Sequence, residues 1–142
     1  MSKDDDFEKM MKNIQSKINQ DEERDYSKTV ITEYRNPNNF GVINNPDALG
    51  EIKGSCGDTM KISLNIENKK VKKACFWTDG CGASIACGSM LMKMIKGEPI
   101  DAVLAITSNN LVEMLGGLPK EHLHCTVLAV NTLHKAIEKY DK

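Results

Sequence analysis

The chain has 142 residues, 40% of them hydrophobic and 27% charged, with a formal net charge of −1. That length suits one domain with a core of its own, and the near-neutral balance excludes the clustered Lys and Arg excess of a nucleic-acid footprint. No apolar run reaches the ~20 residues of a membrane span, and the acidic opening MSKDDDFEKM has neither the apolar stretch of a secretory signal nor the Arg- and Ser-rich character of a transit peptide. The expectation is a soluble, cytoplasmic protein with no membrane and no nucleic acid among its partners. Five cysteines, an odd number, preclude a fully paired disulfide framework and point instead to metal or sulfur chemistry.

In chain order, residues 1–24 form a charged extension in which Phe7, Met10, Met11, Ile14 and Ile18 recur at helical spacing, the pattern of an amphipathic helix without any ligand cluster. From residue 25 onward the pattern is that of the folded domain, taken as 25–142. Tyr26, Val30 and Tyr34 fall on one helical face, and Pro37 ends that helix because it disfavours helical geometry in the residue before it. Between Phe40 and Lys53 the signal is weak, with turns at Pro46 and Gly50 and a short edge strand around Ile52. Met60, Ile62, Leu64 and Ile66 then alternate with polar residues in period two, a strand with one buried face. ENKK turns it, and VKKACFWT returns as its hairpin partner.

A helix is expected from Ala83 to Lys96, with Ile85, Leu91, Met92 and Ile95 on one stripe, Gly97 as its C-terminal cap and Pro99 beyond. A further helix is expected over Asn109 to Leu115, begun by Thr107 or Ser108 and stopped by Gly116 and Gly117. The last runs from Cys125 to Tyr140, with Ala129, Leu133, Ala136 and Tyr140 on one face. Together these elements predict an α+β fold, a small antiparallel sheet of about three strands packed against several α-helices.

The chemistry-bearing residues sit at the joints of this scheme. Cys56 lies in the glycine-bracketed GSCGD loop before a strand, two residues from Asp58, while Cys81 and Cys125 lie at or just before helix starts. A helix N-terminus offers unpaired N–H groups and a positive dipole end, so a thiol there ionises readily, and the thiolate is both nucleophile and metal ligand. These three thiols, the Asp58 carboxylate and the His124 imidazole can close four positions around a metal ion or a small cluster. The blander assignments go to the other candidates. Cys75, in a hydrophobic strand, and Cys87, in the apolar helix, read as core residues, and His122 and His134 as surface residues. Asp58 alone reads as a turn residue and His124 alone as a helix-start residue. No C-x-x-C pair is present to suggest a zinc ribbon or a thioredoxin-like site.

NPNNFG, CGD, GCGAS and the HC pair before the last helix occur in this order, and the set resembles the IscU/NifU-type iron–sulfur cluster assembly scaffolds, from residue 25 to the end of the chain. The resemblance implies a SufE/NifU-like fold and a non-enzymatic scaffold on which a labile [2Fe–2S] cluster is built from iron and sulfur and then handed to apo-acceptor proteins. It implies Cys56, Asp58, Cys81, His124 and Cys125 as cluster ligands and Cys125 as the acceptor of persulfide sulfur. The implied partners are a cysteine desulfurase, a ferredoxin-type electron donor and apo iron–sulfur proteins. The mixed ligand set then acquires a purpose, because a carboxylate or imidazole matches iron–sulfide less well than a thiolate and exchanges more easily. The family's chaperone-recognition motif, Leu-Pro-Pro-Val-Lys, stands here as Leu118, Pro119, Lys120, Glu121 and His122. Only its first two residues match, so a chaperone partner has weak support. Cys75 and Cys87 are additional to the family's usual three cysteines, and the chain resembles the stand-alone scaffold domain rather than the longer NifU proteins.

Two other readings use the same residues. A SufU-like zinc-dependent sulfurtransferase would also hold three cysteines and an aspartate, but that branch has an insertion between its second and third ligand cysteines and lacks the histidine at His124. A structural zinc module is compatible with three cysteines plus Asp or His, and zinc in the isolated protein is compatible with the scaffold as well.

Overall fold

The computed structural model describes residues 26–54 and 57–140. The helix expected within residues 1–24, and Cys56 itself, lie outside the described residues. The elements are α1 (Lys28–Arg35), β1 (Ala48–Lys53), β2 (Thr59–Glu67), β3 (Lys70–Thr78), α2 (Gly82–Ile95), α3 (Ile100–Leu104), α4 (Ser108–Met114), a 3-10 turn (Lys120–His122) and α5 (Leu123–Tyr140). The three strands form one antiparallel sheet in the order β1-β2-β3, the α+β arrangement anticipated from the residue pattern. No helix among the described residues is long and apolar enough to cross a membrane.

Local chemistry accounts for the sheet. Asn68 and Lys69 both adopt positive φ (54° and 62°), the backbone that a two-residue hairpin turn needs to match the twist of β2 and β3. In register, Gly50 faces Ile62 and Ile62 faces Phe76, and Met60, Ile62, Leu64, Ala74 and Phe76 turn one apolar face toward the helices. The strict alternation expected for β2 breaks at Ser63, which is buried on the opposite face and accepts a hydrogen bond from the Ile43 N–H (2.9 Å). The segment after α1 covers that side. Asn39 to Gly41 bonds to the backbone of Phe76, and Phe40 meets the Phe76 ring edge-on. Cys75, paired with Ser63 on this outer face, is half-buried and not the core residue expected.

Helix α2 is the buried element of the domain. The expected stripe was too narrow, since Ala83, Ala86, Cys87, Met90, Leu91, Met92 and Ile95 are all buried together with Ser84, Gly88 and Ser89. Such a helix is enclosed on nearly every side. β3 and α5 pack against it, and so does α1. Cys87 is fully buried there, as its apolar surroundings predicted. Gly97, at φ +81°, follows the helix as expected, and its N–H donates to the Val71 C=O (2.7 Å). Two elements escaped the sequence reading, the short α3 and the 3-10 turn. α4 begins as anticipated, with Thr107 and Asn110 forming a reciprocal capping box.

A buried polar cluster pins α1 to α2. The Glu33 carboxylate, 3% exposed, accepts hydrogen bonds from Ser89 Oγ (2.7 Å), Asn38 Nδ2 (3.1 Å) and the Lys93 ammonium, and the Asn38 N–H donates to Ser89 Oγ (2.7 Å). Asn38 belongs to the NPNNFG stretch, so part of that stretch serves as an anchor between helices. Burial raises the Glu33 pKa, but the Lys93 and Ser89 bonds outweigh it and the net shift is downward.

Candidate metal centre

The antiparallel register gathers three chain segments at one end of the sheet. Lys53 pairs with Thr59 and Met60 with Thr78, so the chain around Asp58 and the chain leading to Cys81 leave the sheet side by side. Gly54 N–H donates to the Asp58 C=O (2.6 Å), and Gly57, at φ +93°, donates to the Gly54 C=O (3.0 Å). Across the gap, Thr59 N–H donates to Asp79 Oδ1 (2.7 Å), and the Thr78 hydroxyl donates to the Thr59 C=O (2.8 Å) while accepting from Gly80 N–H (3.0 Å). Gly80 is required by crowding. A Cβ there would stand 2.9 Å from Asp58 Oδ2 and 2.8 Å from Ser84 Oγ, so its absence lets the carboxylate and the hydroxyl approach the root of the Cys81 segment.

Cys81 is the N-cap of α2 and is exposed. Cys125, by contrast, is fully buried in the first turn of α5. α5 starts two residues earlier than the sequence pattern indicated, at Leu123, so His124 and Cys125 are inside the helix and not at its threshold. The Ser84 hydroxyl donates to Cys125 Sγ (3.4 Å) and lies 4.0 Å from Cys81 Sγ. The two sulfurs, within 4.8 Å of each other, shift one another's ionisation in opposite directions. A hydrogen bond from Cys125 holds the Cys81 pKa far below the ordinary thiol value, against the effect of burial and with help from the Ser84 and Ala83 backbone N–H groups. The same bond, followed by burial, pushes the Cys125 thiol up. Burial chiefly, then the negative charge on Cys81, also raises the Cys87 thiol. In the metal-free site these directions favour the anion on Cys81 over Cys125, whereas the helix-start argument favours an ionised Cys125.

A third donor completes the group. One ligand atom from each of Cys81, His122 and Cys125 lies within 4.8 Å of the other two. His122 ends the 3-10 turn, is half-buried, and has its ring centroid 5.5 Å from that of Tyr26. The sequence pattern places it at the surface, and the structure half-buries it. The missed signal was spacing, since residues three apart share a helical face whereas neighbours point about 100° apart. His122 stands three residues before Cys125. His124 is exposed, with its Nε2 3.7 Å from Cys125 Sγ, and does not enter the three-membered group. Asp58 lies beside Gly80 and Ser84, also outside that group, and His134 is half-buried on α5.

Comparison with known proteins shows which family the chain resembles. Residues 25–142 match the NifU-like N terminal domain. The iron–sulfur cluster assembly scaffold protein IscU of Aquifex aeolicus is 41% identical over 119 residues, covering 82% of this chain and 76% of its own. The nitrogen fixation protein NifU of Azotobacter chroococcum mcd 1 is 36% identical over 119 residues, which are 82% of this chain and 38% of that protein. Among solved structures, a NifU-like N-terminal protein from Brucella abortus superposes with a TM-score of 0.66 at 18% identity, covering 81% of this chain and 93% of that one. A putative SUF-system scaffold protein from Fervidobacterium islandicum AW-1 does so with a TM-score of 0.65 at 19% identity, over 79% and 96% of the two chains, and both structures speak to the fold alone. With its match over residues 25–142 and 41% identity to a relative over most of its length, the chain belongs to the NifU-like N terminal domain family.

Proposed function

We propose that this protein is a scaffold on which a labile [2Fe–2S] cluster is assembled from iron and desulfurase-derived sulfur and then transferred to apo-acceptor proteins. The observation that carries the reading is the convergence of a thiolate, a thiol and an imidazole at one rim of the sheet, in a chain whose relatives are named iron–sulfur scaffolds. Residues 25–142 form the scaffold domain and residues 1–24 its extension. The cluster ligands are drawn from Cys56, Asp58, Cys81, His124 and Cys125. The cluster is cargo, so a ligand set that includes oxygen or nitrogen suits release better than four thiolates.

Sulfur arrives on a desulfurase persulfide. A scaffold thiolate attacks the outer sulfur, the desulfurase S–S bond breaks, and the desulfurase cysteine leaves as a thiolate. Two electrons per sulfur, from a ferredoxin-type donor, then reduce the bound sulfur to sulfide. Cys125 is the acceptor in this reading. It is buried and its thiol is pushed up, so acceptance there requires its proton to be removed and its sulfur to be uncovered. The exposed thiolate Cys81 is the rival acceptor. Incubation with a desulfurase and cysteine without reductant, followed by alkylation and peptide mapping, separates the two. A mass gain on Cys125 supports the reading, and a gain confined to Cys81 reassigns the acceptor.

The scaffold function itself is tested by anaerobic reconstitution with iron, cysteine and a desulfurase. The expected outcome is visible absorbance and circular dichroism of a [2Fe–2S] cluster, lost in Cys56→Ser, Cys81→Ser and Cys125→Ser and retained in Cys75→Ser and Cys87→Ser. The signal should pass to an apo-ferredoxin, and Asp58→Ala should slow that passage more than it lowers loading. A protein that binds zinc tightly but never gains the cluster signal is a zinc module, which three cysteines plus Asp or His also satisfy.

A further inference from the structure

We propose that the N-terminal extension docks on its own domain, laying the apolar stripe of residues 7–18 as a helix into the groove between the end of β1 and the first turns of α5. The proposal goes beyond the scaffold reading and does not depend on it. Residues 1–24 lie outside the stretch that matches the family, so the occupant comes from this chain's own sequence.

The groove holds about 330 Å³ between Ile52, Gly54, Val127 and Leu128, with Lys53, His124 and Asn131 as its polar lining. Its apolar wall continues along the outside of α5. Leu123 and Val127 share a helical face there and stay 38% and 45% exposed. Continuous apolar surface of this kind marks an interaction site, whereas scattered single residues do not.

The extension supplies the matching half. Phe7, Met10, Met11, Ile14 and Ile18 fall on one side of a helix. Asp4, Asp5 and Asp6 stand where a helix N-terminus favours negative charge, and Glu8 precedes Lys12 by four residues, the orientation that supports a helix. A segment of ~12 residues is marginal as a helix on its own in water, so the stripe needs a surface to hold it, and flexible methionines suit a shallow groove. The charges also complement each other, since Lys53 lines the groove and Lys135 follows Asn131 by one turn of α5.

The connection is short enough to close. The Tyr26 ring stands 5.5 Å from that of His122, and His122 directly precedes Leu123, the first residue of α5. The chain from Ile18 to Tyr26 can extend ~26 Å, whereas His124 to Asn131 covers only ~10 Å of helix. Seated in the groove, the extension borders Gly54 and His124, and a macromolecule approaching the rim from this side has to displace it.

Hydrogen–deuterium exchange of the full chain, read peptide by peptide by mass spectrometry, tests the docking. Amides of residues 7–18 should exchange about tenfold or more slower than those of an unstructured peptide of the same sequence, because an isolated helix of this length gives little protection. Val127→Asp on the groove and Ile14→Asp on the extension should each return them to within about threefold of the unstructured rate, while the β2 amides stay protected and report a folded domain. Leu123→Ser replaces Val127→Asp, with the same expectation, if the latter loses its β2 protection. Exchange of residues 7–18 at the unstructured rate in the wild type overturns the proposal. So does protection that survives Val127→Asp in a folded protein, which would seat the segment on another face, such as that of the exposed Phe40, Val42 and Leu49. Protection that falls on dilution, over the range where sedimentation shows a dimer dissociating, assigns the groove to the extension of a second copy and overturns docking within one chain. No arm reads cluster assembly, so failure here leaves the scaffold reading standing.

Discussion

The two chain junctions that meet at the centre hold their thiols in opposite ways. At the β3-to-α2 junction, Cys81 is exposed at a helix N-cap, with the Ser84 hydroxyl 4.0 Å from its sulfur. At the entry to α5, Cys125 is buried, with Ser84 and His124 as its hydrogen-bond partners. Two cysteines that look alike as helix-start residues therefore differ in charge as well as exposure. The two shifts run in opposite directions, Cys81 down and Cys125 up, and bringing the second junction against the first is what creates the difference. A thiol pair with one proton can take up a cation by releasing a single proton, where two independent thiols would release two.

The comparison breaks most completely if the helices lose their seats. A Cβ at Gly50 would stand 2.4 Å from the Thr132 backbone oxygen and 2.8 Å from the Ala136 backbone nitrogen, and backbone of a packed helix cannot rotate aside. Gly50→Ala should cost ~3 kcal/mol or more, measured by urea denaturation, and should separate Cys125 from Cys81. Gly88→Ala is the matching test on the other side. Its Cβ would meet the buried Phe76 ring at 2.3 Å, and since a side chain can shift where backbone cannot, the expected cost is smaller, about 2 kcal/mol.

Next in size is the buried polar anchor between α1 and α2. Glu33→Gln should destabilise the protein by about 1–3 kcal/mol at neutral pH, because Lys93 loses its partner and the Ser89 and Asn38 donors are left with a weaker acceptor. The sign of the pH effect follows from the lowered Glu33 pKa. The ionised carboxylate contributes stability above the unfolded-state value of about 4.3, and that contribution is lost as pH falls through the lower folded value. The stability gap between wild type and Glu33→Gln, followed by thermal melting, should narrow on acidification. A gap that widened would reverse the assignment.

The difference between the two thiols is read directly by alkylation. In the metal-free protein Cys81 should react with iodoacetamide about tenfold or more faster than Cys125, with Cys87 protected until unfolding. Because the Cys81 pKa is lowered, its reactivity should persist into mildly acidic buffer and fall only as pH approaches that lowered value. Equal rates for Cys81 and Cys125 by peptide mapping would remove the distinction. The smallest expected effect is that of Ser84→Ala. Removing the buried hydroxyl that donates to Cys125 should cost ~1 kcal/mol in stability, and should widen the difference in alkylation rate because the lost donor holds the Cys125 thiol down.

The sequence by itself determined the elements with strong local rules. Period-two alternation in Met60 to Ile66, the positive-φ hairpin residues Asn68 and Lys69, the Thr107 cap and the Gly97 stop each act within a few residues, and all are legible without the fold. Cys81 and Cys125 stood out for the same reason. The tertiary structure decided what depends on partners far along the chain. The outer face of β2 is buried because the segment after α1 folds across it, placing Ser63 inside and leaving Cys75 at its half-covered neighbour. α2 is enclosed nearly all round because β3, α1 and α5 all pack on it. Which cysteine is ionised depends on a hydrogen bond between residues 81 and 125. His122 joins them because the 3-10 turn carries it into the gap where it meets Tyr26. Protonation states and ligand groups are set by distances between side chains in space, and those distances exist only once helices from both ends of the domain have packed against one sheet.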